Sequence, residues 1–389
     1  MTTTPPPRGF EISEFEQRTS RAQRMMHEQK LDALLLTTEP NVRYFSGFFT
    51  QFWQSPTRPW FLIVPLEGKP IAVIPTIGSV GMQETWIDEV YCWSSPQPED
   101  DGISLLLTTL QKLPSRFGRL GVSLGPESYL RMPANDFAKI QSELENTEIV
   151  DCSLLLLELC SVKSGAEVEK IKYVCEVASD SFAALPEFAF AGDSERQIVQ
   201  KMRMDLLQRG ADTTPFIVSA SGPDGYYNII MGPSDRIIAN GDILIIDTGT
   251  LYDGYFCDFD RNFAFGTASD GAKRAYDTVF KSTDAGFRAA KPGATTSDLW
   301  RAMWDVLEAG GAEGNDIGRM GHGLGAQLTE WPSNMATDHT VLQPGMVMTL
   351  EPGMSYDDGK QMVHEENILI TDIGAIMLSR RAQSELPII

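Results

Sequence analysis

The chain has 389 residues, of which 42% are apolar and 22% charged, a composition that supports buried cores and excludes wholesale disorder. Its 53 acidic and 32 basic side chains give a formal net charge of −21. Such a charge repels phosphate backbones and anionic lipid, and no apolar run reaches the ~18 residues of a membrane-spanning helix, so we expect no nucleic-acid and no membrane partner.

The five cysteines and four histidines restrict the chemistry further. The cysteines are scattered and form no C-x-x-C pair, which argues against a disulfide framework and against a zinc knuckle. The N-terminal sequence MTTTPPPRGF lacks the apolar stretch of a secretory signal. These features predict reduced thiols and a cytoplasmic protein.

The first 160 residues alternate helical and strand-like patterns. Residues 1–9 predict a disordered lead-in, and residues 10–160 predict a small α/β domain. Within it, residues 13–30 have apolar side chains at helical spacing, and residues 61–65 and 71–75 are short apolar runs separated by a turn. Residues 48–60, FFTQFWQSPTRPW, form an aromatic loop that ends directly before the strand predicted at residues 61–65.

Residues 161–389 predict a second domain built from a repeated unit. Capping-box patterns begin helices at Ser164 and Ser194, and the second of these helices ends at Gly210. A strand hairpin follows, and the order helix, helix, hairpin then recurs toward the C-terminus. Each half carries an acid six residues after a glycine, Asp247 in the first and Glu351 in the second, so we interpret the domain as an internal duplication.

The first hairpin brings two carboxylates together. Asp253–Gly254 is a strong two-residue turn signal, and a turn there places position 249 opposite position 258. Because side chains alternate between faces along a strand, Asp247 and Asp258 then point to the same face as diagonal neighbours. Such a pair, flanked by apolar residues, requires a cation or a proton between its members.

The second hairpin, which carries Glu351 and Glu365, cannot be derived in the same way. A two-residue turn at Asp358–Gly359 would put the two glutamates on opposite faces. A bulge or a longer loop is therefore required, and Pro352–Gly353 is a candidate place for the irregularity.

Between the hairpins, the glycine-rich segment GHGLG at residues 321–325 leaves His322 accessible. Four carboxylates with one imidazole suit a pair of divalent first-row metal ions, such as manganese, cobalt, iron or zinc. Two such ions roughly 3.5–4 Å apart can activate a water molecule and polarise a carbonyl group. The sequence thus predicts a dinuclear site with these ligands: Asp247, Asp258, His322, Glu351 and Glu365.

Several segments resemble the pita-bread metallopeptidase superfamily, which includes methionine aminopeptidase, prolidase, aminopeptidase P and creatinase. They are DALLLTTEPNVRYFSGF, VKSGAEVEKIK, IIDTGTLYDGYFCDFDRNFAFG, GHGLG, PGMVMTLEPG and HEENILIT. The resemblance covers nearly the whole chain. It implies an α/β N-terminal creatinase-like domain over residues 10–160 and an α+β pita-bread catalytic domain with internal two-fold duplication over residues 161–389. Relatives with this N-terminal domain are commonly homodimers, which implies a homodimer here.

The resemblance also implies roles for the five acidic and imidazole side chains. Asp247 would bind one metal ion, and His322 and Glu351 would bind the other. Asp258 and Glu365 would bridge the two ions, with manganese as the first choice of metal. Glu351, beside the activated water, would move the proton, so that Glu351 and His322 are also candidate catalytic residues.

Two positions depart from the pattern of the family's peptidases. A histidine usually stands shortly before P-x-D-R, where this chain has Ile230, and another precedes E-x-P, where this chain has Thr329. Those histidines handle the substrate backbone and the leaving group. Without them, the proton for the leaving group must come from another residue, and the candidates are Tyr226, Tyr227 and Glu330.

The aromatic loop at residues 48–60 has two interpretations. It packs the two domains or a dimer interface, or it contributes to substrate binding. In the second case Trp53 and Trp60 would hold a cationic or apolar group, Arg58 would clamp a carboxylate, and Trp331 would complete the wall. That arrangement would favour a small zwitterionic or carboxylated substrate over a long peptide.

Three classes of function are compatible with these residues. The first is a metallohydrolase that cleaves an amide C–N bond in a dipeptide, as an Xaa-Pro dipeptidase does, or in a small peptide-like metabolite. The second is a non-peptidase enzyme on the same site, similar to creatinase, to an ectoine hydrolase or to the sulfoniopropionate-cleaving lyases. The third is a non-catalytic scaffold, and the intact ligand set argues against it. We therefore expect the first.

Overall fold

The computed structural model describes residues 4–314 and 318–389, and the chain divides into two units between residues 160 and 161. The first unit comprises residues 8–160. The second comprises residues 161–389 together with residues 4–7 of the N-terminal segment. No helix in the described part of the chain is both long and apolar enough to cross a membrane.

The first unit is built on a six-stranded mixed sheet in the order β4-β3-β2-β1-β5-β6. Its strands are β1 Ala33–Leu36, β2 Phe61–Pro65, β3 Ile71–Pro75, β4 Glu89–Trp93, β5 Arg119–Val122 and β6 Glu148–Asp151. Its helices are α1 Ile12–Gln29, α2 Glu39–Ser46, α3 Ser79–Gln83, α4 Ile103–Gln111, α5 Ala134–Glu143 and α6 Ser153–Ser161. The strands predicted at 61–65 and 71–75 and the first helix are confirmed.

The central strands of this sheet are buried on both faces. In β1, Leu34 and Leu36 belong to one apolar cluster, whereas Ala33 and Leu35 belong to another. Side chains alternate between the faces of a strand, so both sides of the sheet are covered by apolar groups. This explains why β1, β2 and β3 are continuous apolar runs without polar alternation.

The described residues of the second unit form three sheets, in the orders β10-β8-β7 with β9 on β8, β12-β11-β13-β16-β17, and β14-β15. The strands of the first are β7 Thr213–Pro223, β8 Asp242–Tyr252, β9 Tyr255–Phe256 and β10 Phe259–Ala264. Those of the other two are β11 His322–Gly323, β12 Glu330–Ser333, β13 Val347–Leu350, β14 Gly353–Tyr356, β15 Lys360–Val363, β16 Glu366–Thr371 and β17 Gly374–Met377.

A pair of helices precedes each group of strands in the chain. The helices α7 Gly165–Ala184 and α8 Glu195–Arg209 precede β7 to β10, and the helices α9 Asp270–Ala289 and α10 Thr296–Ala309 precede β11 to β17. The capping boxes predicted at Ser164 and Ser194 are both formed, and Gly210 ends α8 in the left-handed conformation. The order of elements, two helices and then a hairpin sheet, occurs twice, as the predicted duplication requires.

The N-terminal segment differs from the predicted disordered lead-in. Residues 1–3 lie outside the described residues. Farther along, the carbonyl oxygen of Pro6 accepts a hydrogen bond from the Tyr252 hydroxyl at 2.6 Å, and that of Pro7 accepts one from Lys170 Nζ at 2.5 Å. Proline carbonyls held by two side chains of the second unit do not behave as free chain, so for these residues the expectation of disorder is wrong.

Candidate metal centre

The first predicted hairpin forms with one register along its length. Asp247 lies opposite Asp260 in the ladder of β8 and β10, and the same alignment continues to the turn. That turn consists of Asp253 at φ 45° and Gly254 at φ 75°, as a type I′ hairpin requires. The predicted pairing is confirmed, so Asp247 and Asp258 share one face of the ladder.

The second hairpin also keeps one register, but its turn has three residues. β13 pairs with β16, and β14 pairs with β15. Both pairs follow the same alignment of opposite residues, and residues 357–359 form the turn between β14 and β15. Asp357 and Asp358 adopt positive φ angles of 38° and 67° in that turn. Continued between the two pairs of strands, the alignment places Glu351 opposite Glu365 and therefore on the same face. The irregularity that the sequence requires is therefore the three-residue turn, and the register does not shift at Pro352–Gly353.

Glycines position the imidazole of His322 in β11. A Cβ atom on Gly321 would lie 2.2 Å from the carbonyl oxygen of Thr349, and one on Gly323 would lie 2.4 Å from that of Trp331, so neither position tolerates a side chain. The His322 Nδ1 atom lies 2.8 Å from the Gly323 carbonyl oxygen, to which its N–H donates. Nε2 consequently carries the free lone pair, and it lies 3.5 Å from Asp258 Oδ2.

Three of the five predicted ligands converge on one point. Asp258, His322 and Glu365 each offer one ligand atom, and these atoms lie within 4.8 Å of one another. The three side chains are buried, whereas Asp247 and Glu351 are half-buried and adjoin them. The last two therefore lie on the more accessible side of the cluster.

Several carboxylate oxygens of this cluster have no hydrogen-bond partner among the described residues. They are Oδ1 of Asp247, Oδ1 of Asp258 and Oε1 of Glu365, all shielded from solvent. A buried carboxylate oxygen without a donor is costly unless a cation or proton satisfies it. Together with a neutral imidazole, these oxygens fit a divalent-metal site.

The backbone of Asp258 is held by a residue that the sequence analysis did not identify. Asn367 in β16 accepts a hydrogen bond from the Asp258 N–H at 2.9 Å and donates its amide to the Asp258 carbonyl oxygen. The same amide oxygen accepts from Cys175 Sγ at 3.3 Å. Asn367 thus connects the two hairpins, and the only sequence signal was its place two residues after Glu365.

The electrostatics of the cluster favour neutral groups when no metal ion is bound. Burial raises the pKa of Asp247 to about 7, and burial together with the Asp247 charge raises the pKa of Glu351 to about 8. Burial, followed by the neighbouring carboxylates, raises the pKa values of Asp258 and Glu365 well above their usual range. Burial lowers the pKa of His322 to about 4. Metal binding must therefore displace protons from the carboxyl groups.

These shifts predict how the stability of the metal-free protein depends on pH. Between pH 6.5 and about 8 the unfolded carboxyl groups are ionised, while those of folded Asp247 and Glu351 still hold protons. The folded state binds more protons, so its stability falls as pH rises through this window. The histidines act in the opposite direction, because burial lowers the pKa of His322 to about 4 and that of His364 well below its usual value. Their contribution fades at the lower edge of the window, where the imidazoles of the unfolded chain lose their protons at about pH 6.5.

We expect the thermal midpoint of chelator-treated protein to fall by several degrees between pH 6.5 and 8, and that of metal-loaded protein to change much less. Differential scanning calorimetry at both pH values checks this. A midpoint of the metal-free protein that rises or stays constant over the window would contradict buried, protonated carboxyl groups at this site.

Two of the three predicted proton donors are engaged elsewhere. Tyr226 is 1% exposed, its hydroxyl donates to Asn262 Oδ1 at 2.9 Å and accepts from the Val363 N–H at 3.0 Å, and burial raises its pKa well above 10. Glu330 is buried and forms an ion pair with Lys163 at 2.6 Å. Both are structural in these contacts, which corrects the expectation that they supply the proton.

The third predicted donor, Tyr227, is placed differently, since its side chain is 63% exposed. Ile230, at the position of one missing histidine, is 78% exposed. Unlike Tyr226, these two side chains of the loop after β7 face solvent, and Tyr227 stays a prediction.

The predicted substrate-binding tryptophans of the first unit are core residues. Trp60 is 1% exposed and Trp53 8%, and their rings lie 5.9 Å apart between centroids. Arg131 fixes their loop by donating to the carbonyl oxygens of Ser55 and of Arg58. Rings packed in this way have no free face for a ligand, which corrects the expectation for both tryptophans. Arg58, half-buried at φ 60°, stays a prediction.

A cation near the metal cluster was not found from the sequence. Arg319 is half-buried, and its guanidinium donates to Thr329 Oγ1 at 3.3 Å and to Ser333 Oγ at 3.5 Å. Its charge opposes the rise in the pKa values of Asp258 and Glu351. The guanidinium thus reaches the position of the second missing histidine, beside the half-buried Trp331.

Comparison with known proteins places this geometry in context. The sequence profile of Metallopeptidase family M24 matches residues 169–372, and that of the Creatinase/Prolidase N-terminal domain matches residues 18–162. An Xaa-Pro dipeptidase of Pyrococcus furiosus is 27% identical over 372 residues, which cover 94% of this chain and 98% of the relative.

Solved structures show the same similarity. The dipeptidase PepE from Mycobacterium ulcerans superposes with a TM-score of 0.85 at 26% identity, covering 98% of this chain and 99% of the other. A prolidase from Thermococcus sibiricus gives a TM-score of 0.85 at 25% identity, covering 96% of this chain and 99% of the other. Both domains of the present chain are therefore matched.

Proposed function

The chain belongs to metallopeptidase family M24 and is a metal-dependent hydrolase, and from this we propose that it hydrolyses the amide bond of a dipeptide. The predicted family and the two-domain fold class are confirmed. The observation that carries the proposal is the convergence of Asp258, His322 and Glu365 at one buried point. The names of the similar proteins, Xaa-Pro dipeptidase and prolidase, support a small peptide as substrate over the non-peptidase alternatives.

The ligand arrangement we propose follows the two hairpins. Asp247 would hold one metal ion, His322 and Glu351 would hold the other, and Asp258 and Glu365 would be shared by both. Two divalent ions supply an activated water molecule and a polarised carbonyl group. The chain contributes an oriented neutral imidazole, through the Nδ1–H bond to the Gly323 carbonyl, and a half-buried Glu351 carboxylate that can accept a proton on the accessible side.

Three finer points belong to the same proposal. Manganese is our choice of metal, because four of the five proposed ligands are carboxylates and such ligands suit oxygen-preferring ions. A cytoplasmic location agrees with the reduced thiols of Cys92, Cys152, Cys175 and Cys257. A homodimer is proposed from the resemblance of the N-terminal domain.

Arg319 supplies the recognition element that we propose for the substrate. Within the described residues this guanidinium contacts only neutral hydroxyl groups, at 3.3 and 3.5 Å. It lies in the segment leading into His322, whose strand neighbour in β12 is Ser333. A half-buried guanidinium without a carboxylate partner suits the free carboxylate of a small substrate. The C-terminal carboxylate of a dipeptide is the simplest such group.

Dipeptides with free and with amidated C-termini test both parts of this proposal. The manganese-loaded protein should hydrolyse free dipeptides, with proline and alanine compared in the second position. Amidation should raise KM by about 10–100-fold, since a charge-assisted hydrogen bond contributes about 1.5–3 kcal/mol. Arg319→Ala should raise KM for the free dipeptide similarly, leave the amide unchanged and keep the metal content.

The matched control is Arg301→Ala, which removes an exposed cation from α10 and should change KM neither for the free dipeptide nor for the amidated one. Cleavage of betaines or N-acyl compounds without any dipeptide hydrolysis would refute the peptidase proposal. If amidation raises KM by the same factor in the wild type and in Arg319→Ala, the role of the guanidinium is refuted, whereas the peptidase proposal is not affected.

A further inference from the structure

Asp260 is a carboxylate of the site that the five-ligand pattern does not include. It lies in β10 directly opposite Asp247 and two residues after Asp258, so its side chain shares their face of the ladder. Directly opposed residues of an antiparallel pair have Cβ atoms only about 4.5–5.5 Å apart. Asp247 and Asp260 are therefore direct neighbours on the face of the ladder that carries the proposed ligands.

The side chain of Asp260 lacks a partner that would satisfy it. It is 2% exposed, and its Oδ1 atom has no hydrogen-bond partner among the described residues. The neighbouring cation, Arg261, is engaged elsewhere: it donates to Glu366 Oε2 at 3.0 Å and to the carbonyl oxygen of Glu365 at 3.0 Å. No ion pair of Asp260 occurs in the described part of the chain, so this buried oxygen is free to bind a ligand.

The donors around the two proposed metal positions are unequal. One ion would be held by His322, Glu351 and the two shared carboxylates, which are four protein ligands. The other would be held by Asp247 and the same two shared carboxylates, which are three. Asp260 lies next to Asp247 in the ladder, on the side of the position with fewer protein ligands.

We propose that Asp260 is an additional oxygen ligand of the metal ion that Asp247 binds. The dinuclear site then has one position made only of carboxylates and one that contains an imidazole. All-oxygen sites suit manganese and magnesium, whereas imidazole suits zinc and iron, so the two positions differ in metal preference. The inference rests on the proposed function only in requiring that the site binds two ions.

Titration of metal-free protein with Mn²⁺ alone, by calorimetry and electron paramagnetic resonance, tests this without any substrate. The wild type should bind two ions and show the signal of a coupled pair. Asp260→Asn should bind one ion with unchanged affinity and the other more weakly by at least the about 10–100-fold that loss of an outer-shell partner costs, with an uncoupled signal at substoichiometric metal. Asp260→Thr, shorter and also neutral, carries the same test if the amide variant does not fold.

The thermal midpoint of the metal-free variant separates ligation from packing. Removing one of several crowded carboxylates should leave it equal to that of the wild type or raise it, whereas loss of a packing residue would lower it. The control Asp305→Asn removes one exposed charge from α10 and should change neither affinity. Two unchanged affinities in Asp260→Asn, or weaker binding together with a lower metal-free midpoint, would overturn the proposal. A wild type that binds no Mn²⁺ would overturn the proposed function as well.

Discussion

Replacing either of the two residues that we propose to bridge the metal ions, Asp258 or Glu365, by alanine is expected to abolish hydrolysis and to lower the metal content. Each change removes an oxygen that both ions would share, and the remaining carboxylates cannot occupy its place on the ladder. Loss of an outer-shell partner typically costs about 10–100-fold in affinity or activity, and loss of a bridging ligand should exceed that. Metal analysis of protein purified without added excess metal, with initial rates on the best dipeptide, measures both effects.

The stability of these variants provides an internal check. Both side chains are nearly fully buried, at 4% and 2% exposure, and their carboxyl pKa values lie well above the usual range. Removing one should relieve repulsion in the metal-free protein, so its fold should persist while the stabilisation by metal is lost. The exposed residues Asp305 and Glu308 of α10 offer alanine controls. Full activity in either bridging variant would refute the assignment of the site.

The sequence was sufficient where a local signal determined the geometry. Asp253–Gly254 predicts a two-residue turn, and that turn alone sets the register that places Asp247 and Asp258 on one face. The second hairpin carries no such signal, because Asp357 and Asp358 both adopt positive φ in a three-residue turn. Aspartate tolerates that conformation but does not require it, so the length of the turn could not be predicted.

Residues whose role depends on distant contacts could not be predicted. Asn367 bonds the backbone of a residue 109 positions away, and Arg319 contacts Thr329 only because β11 and β12 are paired. Trp60 illustrates the opposite error. An aromatic residue beside an arginine in a loop is compatible with ligand binding, but its burial is decided by packing against Phe48 and Gly78.

Glu330 shows the same difficulty, because its partner Lys163 lies 167 positions earlier in the chain. The two side chains are 6% and 1% exposed and 2.6 Å apart. The other oxygen of Glu330 accepts the backbone N–H of Gln327 at 3.0 Å, which ties down the segment between His322 and β12. A carboxylate held in this way is charged and occupied, so it fixes the loop and does not donate a proton.

This assignment predicts that Lys163→Met destabilises the protein by about 3–5 kcal/mol, because it leaves the Glu330 charge buried without a partner. Glu330→Leu should destabilise it similarly, and the double variant should recover most of the loss. Denaturant unfolding, followed by tryptophan fluorescence on metal-loaded protein, measures the coupling between the two sites. The control is Lys281→Met: that residue pairs with Asp277 at the same 2.6 Å but with both side chains more than half exposed, so the effect should stay below about 1 kcal/mol.

A proton-donating Glu330 would give a different pattern. Glu330→Gln would then lose turnover while Lys163→Met retained it, and neither would change the free energy of unfolding appreciably. If the ion pair is structural, both variants lose stability. The activity of both also falls, because the segment between His322 and β12 is no longer held in place. Because Gly323 in β11 lies opposite Glu330 itself, the metal affinity of both variants should weaken together, and independent responses of the two would contradict the structural role.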